Sequence, residues 1–320
     1  MRILIAGATG AVGRRLVPML LGDGHEVVAM TRTAAKADGL RELGALPVVA
    51  DALDRDAVMG AVAGAEPEVI VHQLTALTGA TDLRRFDRVF AATNRLRTEG
   101  LRNLLDAGAA AGTRRLITQS FTGWPFAREG GPVKDEDAPL DPAPPRHQRA
   151  SLRAIRELEA MAAGDGPGSA RDAGVEGVVL RYGGFYGPGT SLSADGELAE
   201  LMRKRRLPVI GDGGGLWSFT HIDDAAGGVA ATLEPGRPAG IFAIVDDEPA
   251  AAAEWIPALA DALGAPPPRH VPAWLGRLAA GAVPVTMMTE SRGASNARAR
   301  RVLGWAPRWP TWRDGFHHGL

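Results

Sequence analysis

The 320-residue sequence contains no cysteine. That excludes disulfide frameworks, zinc–thiolate sites and thiol nucleophiles. Lysine is nearly missing as well: of 36 basic residues only Lys36, Lys134 and Lys204 are lysines. Tyrosine occurs twice, as Tyr182 and Tyr186. Neither sign of charge dominates, since the formal net charge is −1. A nucleic-acid binder would need a basic face, so that partner class is not expected. Long hydrophobic runs are also absent. The longest apolar region, 273–288, is broken by Arg277 and Pro284 and is short for a bilayer. The opening run Ile3–Ala6 is too short for the core of a signal peptide. The expectation is a soluble, cytoplasmic protein with no membrane partner. None of the seven histidines pairs with carboxylates at a metal-binding spacing, so no metal is expected. What is present is ample apolar material, 45% of the chain, enough for one large α/β unit or two domains.

Residues 2–6 form a short β-branched run that reads as a buried parallel strand. It runs into Gly7-Ala8-Thr9-Gly10-Ala11-Val12-Gly13, then a helical pattern from Arg14, then a second strand over 25–30. Strand, glycine turn, helix and strand within about thirty residues is the context that a dinucleotide fingerprint requires. Gly7 permits the tight turn, Gly10 lets backbone N–H groups approach a pyrophosphate, and Gly13 lets the helix pack close. The helix N-terminus then faces the phosphates with its partial positive charge. The second strand ends in Met30-Thr31-Arg32-Thr33, without a carboxylate. An acidic residue there would hold a ribose 2′-hydroxyl, whereas an arginine favours a 2′-phosphate. Arg32, with Thr31 or Arg14, therefore points to NADP rather than NAD. The alternative for Arg32 is a solvated surface arginine.

Further strands are expected at 46–50, 68–71, 115–118 and 176–180. Helices are expected at 34–43, 54–62, 82–111 and 149–163. Alternation of this kind predicts an α/β fold: a Rossmann-type, doubly wound parallel sheet with right-handed crossovers. Ligands in such sheets lie beyond the carboxyl ends of the strands. Gly7, Thr31, Asp51, Gln73 and Ser120 should therefore ring one crevice, with Leu74 and Thr75 continuing from Gln73 along its rim.

The chain resembles the extended short-chain dehydrogenase/reductase family, the NAD(P)-dependent epimerase/dehydratase group. The resemblance rests on the glycine motif Gly7–Gly13, on Asp51-Ala52, on Asn94, and on Arg181-Tyr182-Gly183-Gly184-Phe185-Tyr186-Gly187-Pro188-Gly189. It continues through Gly211-Asp212-Gly213, Phe219-Thr220-His221-Ile222-Asp223-Asp224 and Leu303-Gly304-Trp305-Ala306-Pro307. The resemblance implies that Asp51 and Ala52 hold the adenine and that a smaller C-terminal lobe binds substrate. It implies a nucleotide domain of residues 1–186 and 219–245 and a substrate lobe of 187–218 and 246–320. It also implies a homodimer through the long central helices.

The family's chemistry rests on Tyr-x-x-x-Lys plus a Ser or Thr: the tyrosine moves a proton while the cofactor carries hydride. No Tyr-x-x-x-Lys occurs here. Aligning Glu157 with the family's helical glutamate puts Arg149 at the tyrosine position and Arg153 at the lysine position. An arginine cannot shuttle protons, but Arg153 can clamp ribose and Arg149 can orient a substrate. Ser120 falls at the position of the catalytic hydroxyl, with Thr122 beside it. Tyr182 is expected beside the nicotinamide, and Tyr186 is a candidate acid, although packing is an alternative role for both. Phe121 and Thr122 stand where 4,6-dehydratases carry an Asp-Glu pair, which counts against dehydration. One or two of the tryptophans are candidates for lining a cleft that takes a flat apolar substrate. These readings converge on an NADP-dependent ketoreductase or dehydrogenase acting on a small carbonyl compound, aromatic or sugar-like. A sugar-nucleotide epimerase and a non-catalytic NADP-binding sensor are the alternatives.

Overall fold

The computed structural model describes residues 1–77 and 83–320. Seven strands form one wholly parallel sheet: β1 (Arg2–Ala6), β2 (Glu26–Thr31), β3 (Leu46–Val49), β4 (Val69–His72), β5 (Arg115–Phe121), β6 (Glu176–Tyr182) and β7 (Gly240–Ile244). Their order across the sheet is β7-β6-β5-β4-β1-β2-β3. The direction of winding reverses between β1 and β4, so the crevice for a ligand opens beyond the carboxyl ends of those two strands. The six strands expected from the sequence all form, and β7 completes the far edge.

Burial on both faces follows from the strand sequences. Along β1, Ile3 and Ile5 enter one core while Leu4 and Ala6 enter the other. That alternation with no polar side is what a sheet covered by helices on both faces demands. Helix α1 (Ala11–Gly22) lies on the first face, packing Leu16, Val17 and Leu20 into that core. The second face is covered by α2 (Arg55–Ala65), α3 (Leu101–Ala110) and α4 (Arg149–Ala163). The single helix expected over 82–111 is broken. Residues Phe86–Val89 and Ala91–Arg95 are short helices, followed by a π-helical turn at Leu96–Gly100 and then α3. Asp82 lies outside the described residues.

A third core belongs to the C-terminal lobe and gathers Tyr186, Phe219, Trp255, Trp312 and Phe316. Two buried carboxylates tie this lobe to the sheet. Asp224, near the start of α5 (Ile222–Leu233), accepts the backbone N–H groups of Arg308 and Trp309 at 2.7 and 3.1 Å. Asp246 accepts the Trp312 N–H at 3.0 Å. The cap of α5 is instead His221, whose Nδ1 accepts the Asp223 N–H. Burial pushes the Asp246 carboxyl well above the ordinary carboxylate range. A native pKa above the unfolded one contributes stability at low pH that is lost as pH rises through the native value. The stability of wild type relative to Asp246→Asn should therefore fall as pH rises from the carboxylate range toward neutrality. Urea unfolding at several pH values would show it, and a pH-independent difference would contradict the assignment.

Candidate active site

The glycine turn has the form a pyrophosphate needs. Gly7 has φ +101°, and a Cβ on it would stand 2.8 Å from the Gln73 carbonyl oxygen. A Cβ on Gly13 would lie 2.3 Å from the Gly7 oxygen. Only glycine fits either position. The cap of α1 is Gly10, with no side chain on the helix's first N–H groups and no acidic residue in its first turn. This twelve-residue helix thus ends in free donors and a positive dipole end, bordered by Thr9, Ala11 and buried Val12. A dinucleotide fits this cradle.

The other expected nucleotide contacts cluster around it. The Gln73 N–H donates to the Ala6 oxygen, which sets Gln73, half-buried Leu74 and exposed Thr75 directly beyond β4. Asp51 accepts the Leu53 N–H at 3.0 Å and is half-buried. Ala52 is buried, and its carbonyl is held by Asn103. Beyond β2, Thr31 is buried while Arg32 is exposed, with its guanidinium in solvent. Arg14 Nε donates to the Thr9 oxygen at 3.0 Å, so a cation also borders the glycine turn.

The catalytic expectations need correcting. A pair four residues apart on α4 can reach the cofactor only from the face turned to the sheet. That face consists of Ser151, Leu152, Ile155, Leu158 and Glu159. Arg149 and Arg153 lie on the outer, exposed face, and Arg149 Nε only approaches the Pro144 oxygen at 3.5 Å. Neither is a substrate or ribose clamp in this arrangement. The inward glutamate is Glu159, not the exposed Glu157. Shifting the register by two puts Ser151 at the tyrosine position and Ile155 at the lysine position. Ser151 is fully buried; its hydroxyl donates to Asp87 at 2.7 Å and accepts from Asn94 at 3.1 Å.

Glu159 is the hub of a buried network that single residues in the sequence did not reveal. Arg181 donates to both its oxygens, at 2.8 and 2.7 Å, and the Ser120 hydroxyl donates to it at 2.7 Å. The proton of Ser120 is therefore committed inward rather than offered to a substrate. Arg97, on the π-helical turn, is buried nearby, and burial lowers its pKa to about 10, so it stays charged at neutral pH. The signal for this hub was the apolar stripe of α4, which includes position 159 and excludes 157.

Tyr182 and Tyr186 are not proton donors here. Both are buried, and burial pushes each phenol well above its ordinary pKa. Tyr182 donates to the Ala225 oxygen at 3.3 Å inside the nucleotide core. Tyr186 packs edge-on against Phe219, His221 and Phe316 in the lobe core. Thr122 differs: it is buried at the crevice, and its hydroxyl has no partner. Among the described residues no group of three His, Asp or Glu could hold a metal ion, and no helix is long and apolar enough to cross a membrane. A larger surface hollow lined by Ala162, Asp165, Glu176 and Gly240 sits at the amino ends of the strands, away from this crevice.

Comparison with known proteins agrees with this geometry. Residues 3–244 match the model of the NAD dependent epimerase/dehydratase family. A Streptomyces protein named 3-diazoavenalumate denitrifying reductase is 47% identical over 319 residues, covering 99% of both chains. The 2-alkyl-3-oxoalkanoate reductase of Stenotrophomonas maltophilia is 30% identical, over 83% of this chain and 77% of its own. The fold superposes on UDP-glucose 4-epimerase from Thermotoga maritima with a TM-score of 0.76 at 20% identity, covering 99% and 96% of the two chains. The chain belongs to the NAD-dependent epimerase/dehydratase family and is an NAD(P)-dependent oxidoreductase of the short-chain dehydrogenase/reductase type.

Proposed function

We propose that the protein is a reductase that uses NADPH to reduce a diazo carboxylate with loss of dinitrogen. The observation that carries this reading is the inward face of α4, where Ser151 and Ile155 stand in place of a phenol and an ammonium. When bound, the nicotinamide supplies a hydride. A carbonyl that accepts a hydride becomes an alkoxide and needs a proton from an acid. An arenediazonium cation that accepts one at its terminal nitrogen becomes a neutral diazene. The diazene loses dinitrogen and keeps the hydrogen on the ring carbon, so charge and atoms balance without any acid. A site stripped of Tyr and Lys suits the second reaction. The 47% identity to a protein named for a diazo substrate supports the same choice.

The chain's own residues would bind and orient. Gly7, Gly10 and Gly13 admit the pyrophosphate, Asp51 and Ala52 border the adenine, and the Glu159–Arg181–Ser120 network fixes the ends of β5 and β6. The test is incubation with NADPH and an arenediazonium carboxylate, following loss of reduced nicotinamide and release of labelled dinitrogen. One dinitrogen per NADPH is expected. Turnover of ketones with none of the diazonium would overturn the proposal and favour the carbonyl reductase that the 30% identity to an oxoalkanoate reductase supports.

Arg32 and Arg14 support NADP as the cofactor. Arg32→Glu should weaken NADPH binding about tenfold or more, a loss in the range of one or two charge-assisted hydrogen bonds, and leave NADH nearly unchanged. Calorimetric titration with both nucleotides checks this, and equal losses would point away from the 2′-phosphate. The reading also includes a homodimer through the outer faces of α3 and α4.

A further inference from the structure

We infer that the cleft beyond β5 and β6 is a slot for a planar, conjugated aryl acid, a substrate class that deepens the reading above and rests on it. The cleft lies directly after Ser120 and Tyr182, at the carboxyl ends of the two strands, and is walled by Phe121, Trp124, Trp217 and Met287. The three aromatic residues are half-buried, so ring surface faces the opening. The walls are held in place. Trp217 donates its indole N–H to the Met287 oxygen at 3.1 Å and packs on Trp255 with centroids 5.2 Å apart. Trp124 meets Phe86 edge-on at 5.2 Å and Phe121 at 6.5 Å.

One polar group in the lining lacks a partner. The Thr122 hydroxyl is 2% exposed and forms no hydrogen bond. A buried hydroxyl left unpaired is costly, so a ligand oxygen that meets it gains what the empty site forgoes. The lining contains no charged side chain among the described residues. A sugar nucleotide brings two phosphates that need cationic or N–H partners, and these walls provide none. A flat ring gains most from aromatic walls, and a ring bearing a cationic diazonium gains further from their negative faces. The slot thus selects an aryl group with one oxygen substituent for Thr122.

The experiment is equilibrium quenching of tryptophan fluorescence by p-hydroxycinnamate and, separately, by UDP-glucose, in wild type, Thr122→Val and Trp217→Leu. Saturable quenching by p-hydroxycinnamate and none by UDP-glucose is expected. Thr122→Val should weaken the affinity severalfold, and Trp217→Leu should weaken it at least tenfold. Calorimetric NADPH binding, unchanged in both variants, confirms that they fold. Binding of UDP-glucose, no binding of the aryl acid, or aryl binding indifferent to both substitutions would each overturn the slot. Because no turnover is measured, aryl binding in a protein that fails to reduce diazonium compounds would leave the slot standing and overturn only the reaction. Diazonium reduction with KM unmoved by either substitution would do the reverse.

Discussion

Glu159→Ala will destabilise the protein by about 3–5 kcal/mol, the cost of removing one partner from a buried ion pair. Its carboxylate is 8% exposed and the Arg181 guanidinium 5%. The arginine cannot turn to water, because Nε and one terminal nitrogen point at Glu159 while the other donates to the Glu136 oxygen at 3.0 Å. Removing the carboxylate strands that charge and frees the Ser120 hydroxyl, and it takes away the anion nearest Arg97. A loss of this size is a large fraction of the roughly 5–15 kcal/mol that holds a typical protein folded. The urea midpoint should fall steeply with little change in slope. Glu159→Gln keeps the shape and one acceptor and should cost less. Replacing Glu159 and Arg181 together with leucine and methionine should recover part of the loss, because the penalty lies mostly in the unpaired charge. A Glu159→Ala protein within about 1 kcal/mol of wild type would show that water reaches Arg181 and that the network is not a buried hub.

The same residue shows how far the sequence could be read. The strands were legible because buried parallel strands are short β-branched runs between turns, and the glycine turn because its flanks named its context. The active-site helix was legible as a helix, with bounds 149–163 as observed. Its phase was not read, although the information was present: Leu152, Ile155 and Leu158 mark an inward stripe that passes through Glu159 and avoids Glu157. Choosing the glutamate by motif spacing instead of by the stripe displaced the site by two residues and turned two solvent-facing arginines into candidate clamps. Tyr182, Tyr186 and Asp224 failed differently. Their types suggest chemistry or capping, but whether a phenol or carboxylate meets water or a buried backbone N–H depends on residues far away in sequence, Ala225, Gly315 and Arg308 among them. Thr122 was named early, yet only the fold shows that its hydroxyl is left without a partner at the mouth of an aromatic cleft.

Gly13→Ala will weaken NADPH binding by at least about a hundredfold, since misplacing the helix end forfeits several charge-assisted hydrogen bonds at once. One added methyl suffices. Its carbon would sit 2.3 Å from the Gly7 oxygen and 2.6 Å from the Ala8 carbonyl carbon, both backbone atoms that cannot rotate away. Either α1 lifts off the sheet or the turn at Gly7 opens, and each moves the donors that face the pyrophosphate. Gly7 cannot give way easily, because it is held at φ +101° against Gln73. Gly22 is the control: it ends the same helix, and a Cβ there meets nothing within 4 Å. Gly22→Ala should leave nucleotide affinity unchanged and raise stability by up to about 1 kcal/mol, the helix-propensity difference between the two residues. Calorimetric titration of both variants separates a lost cradle from a merely perturbed helix. If Gly13→Ala bound NADPH as wild type does, the glycine turn would not be the phosphate site, and the crevice would have to hold its dinucleotide by some other means.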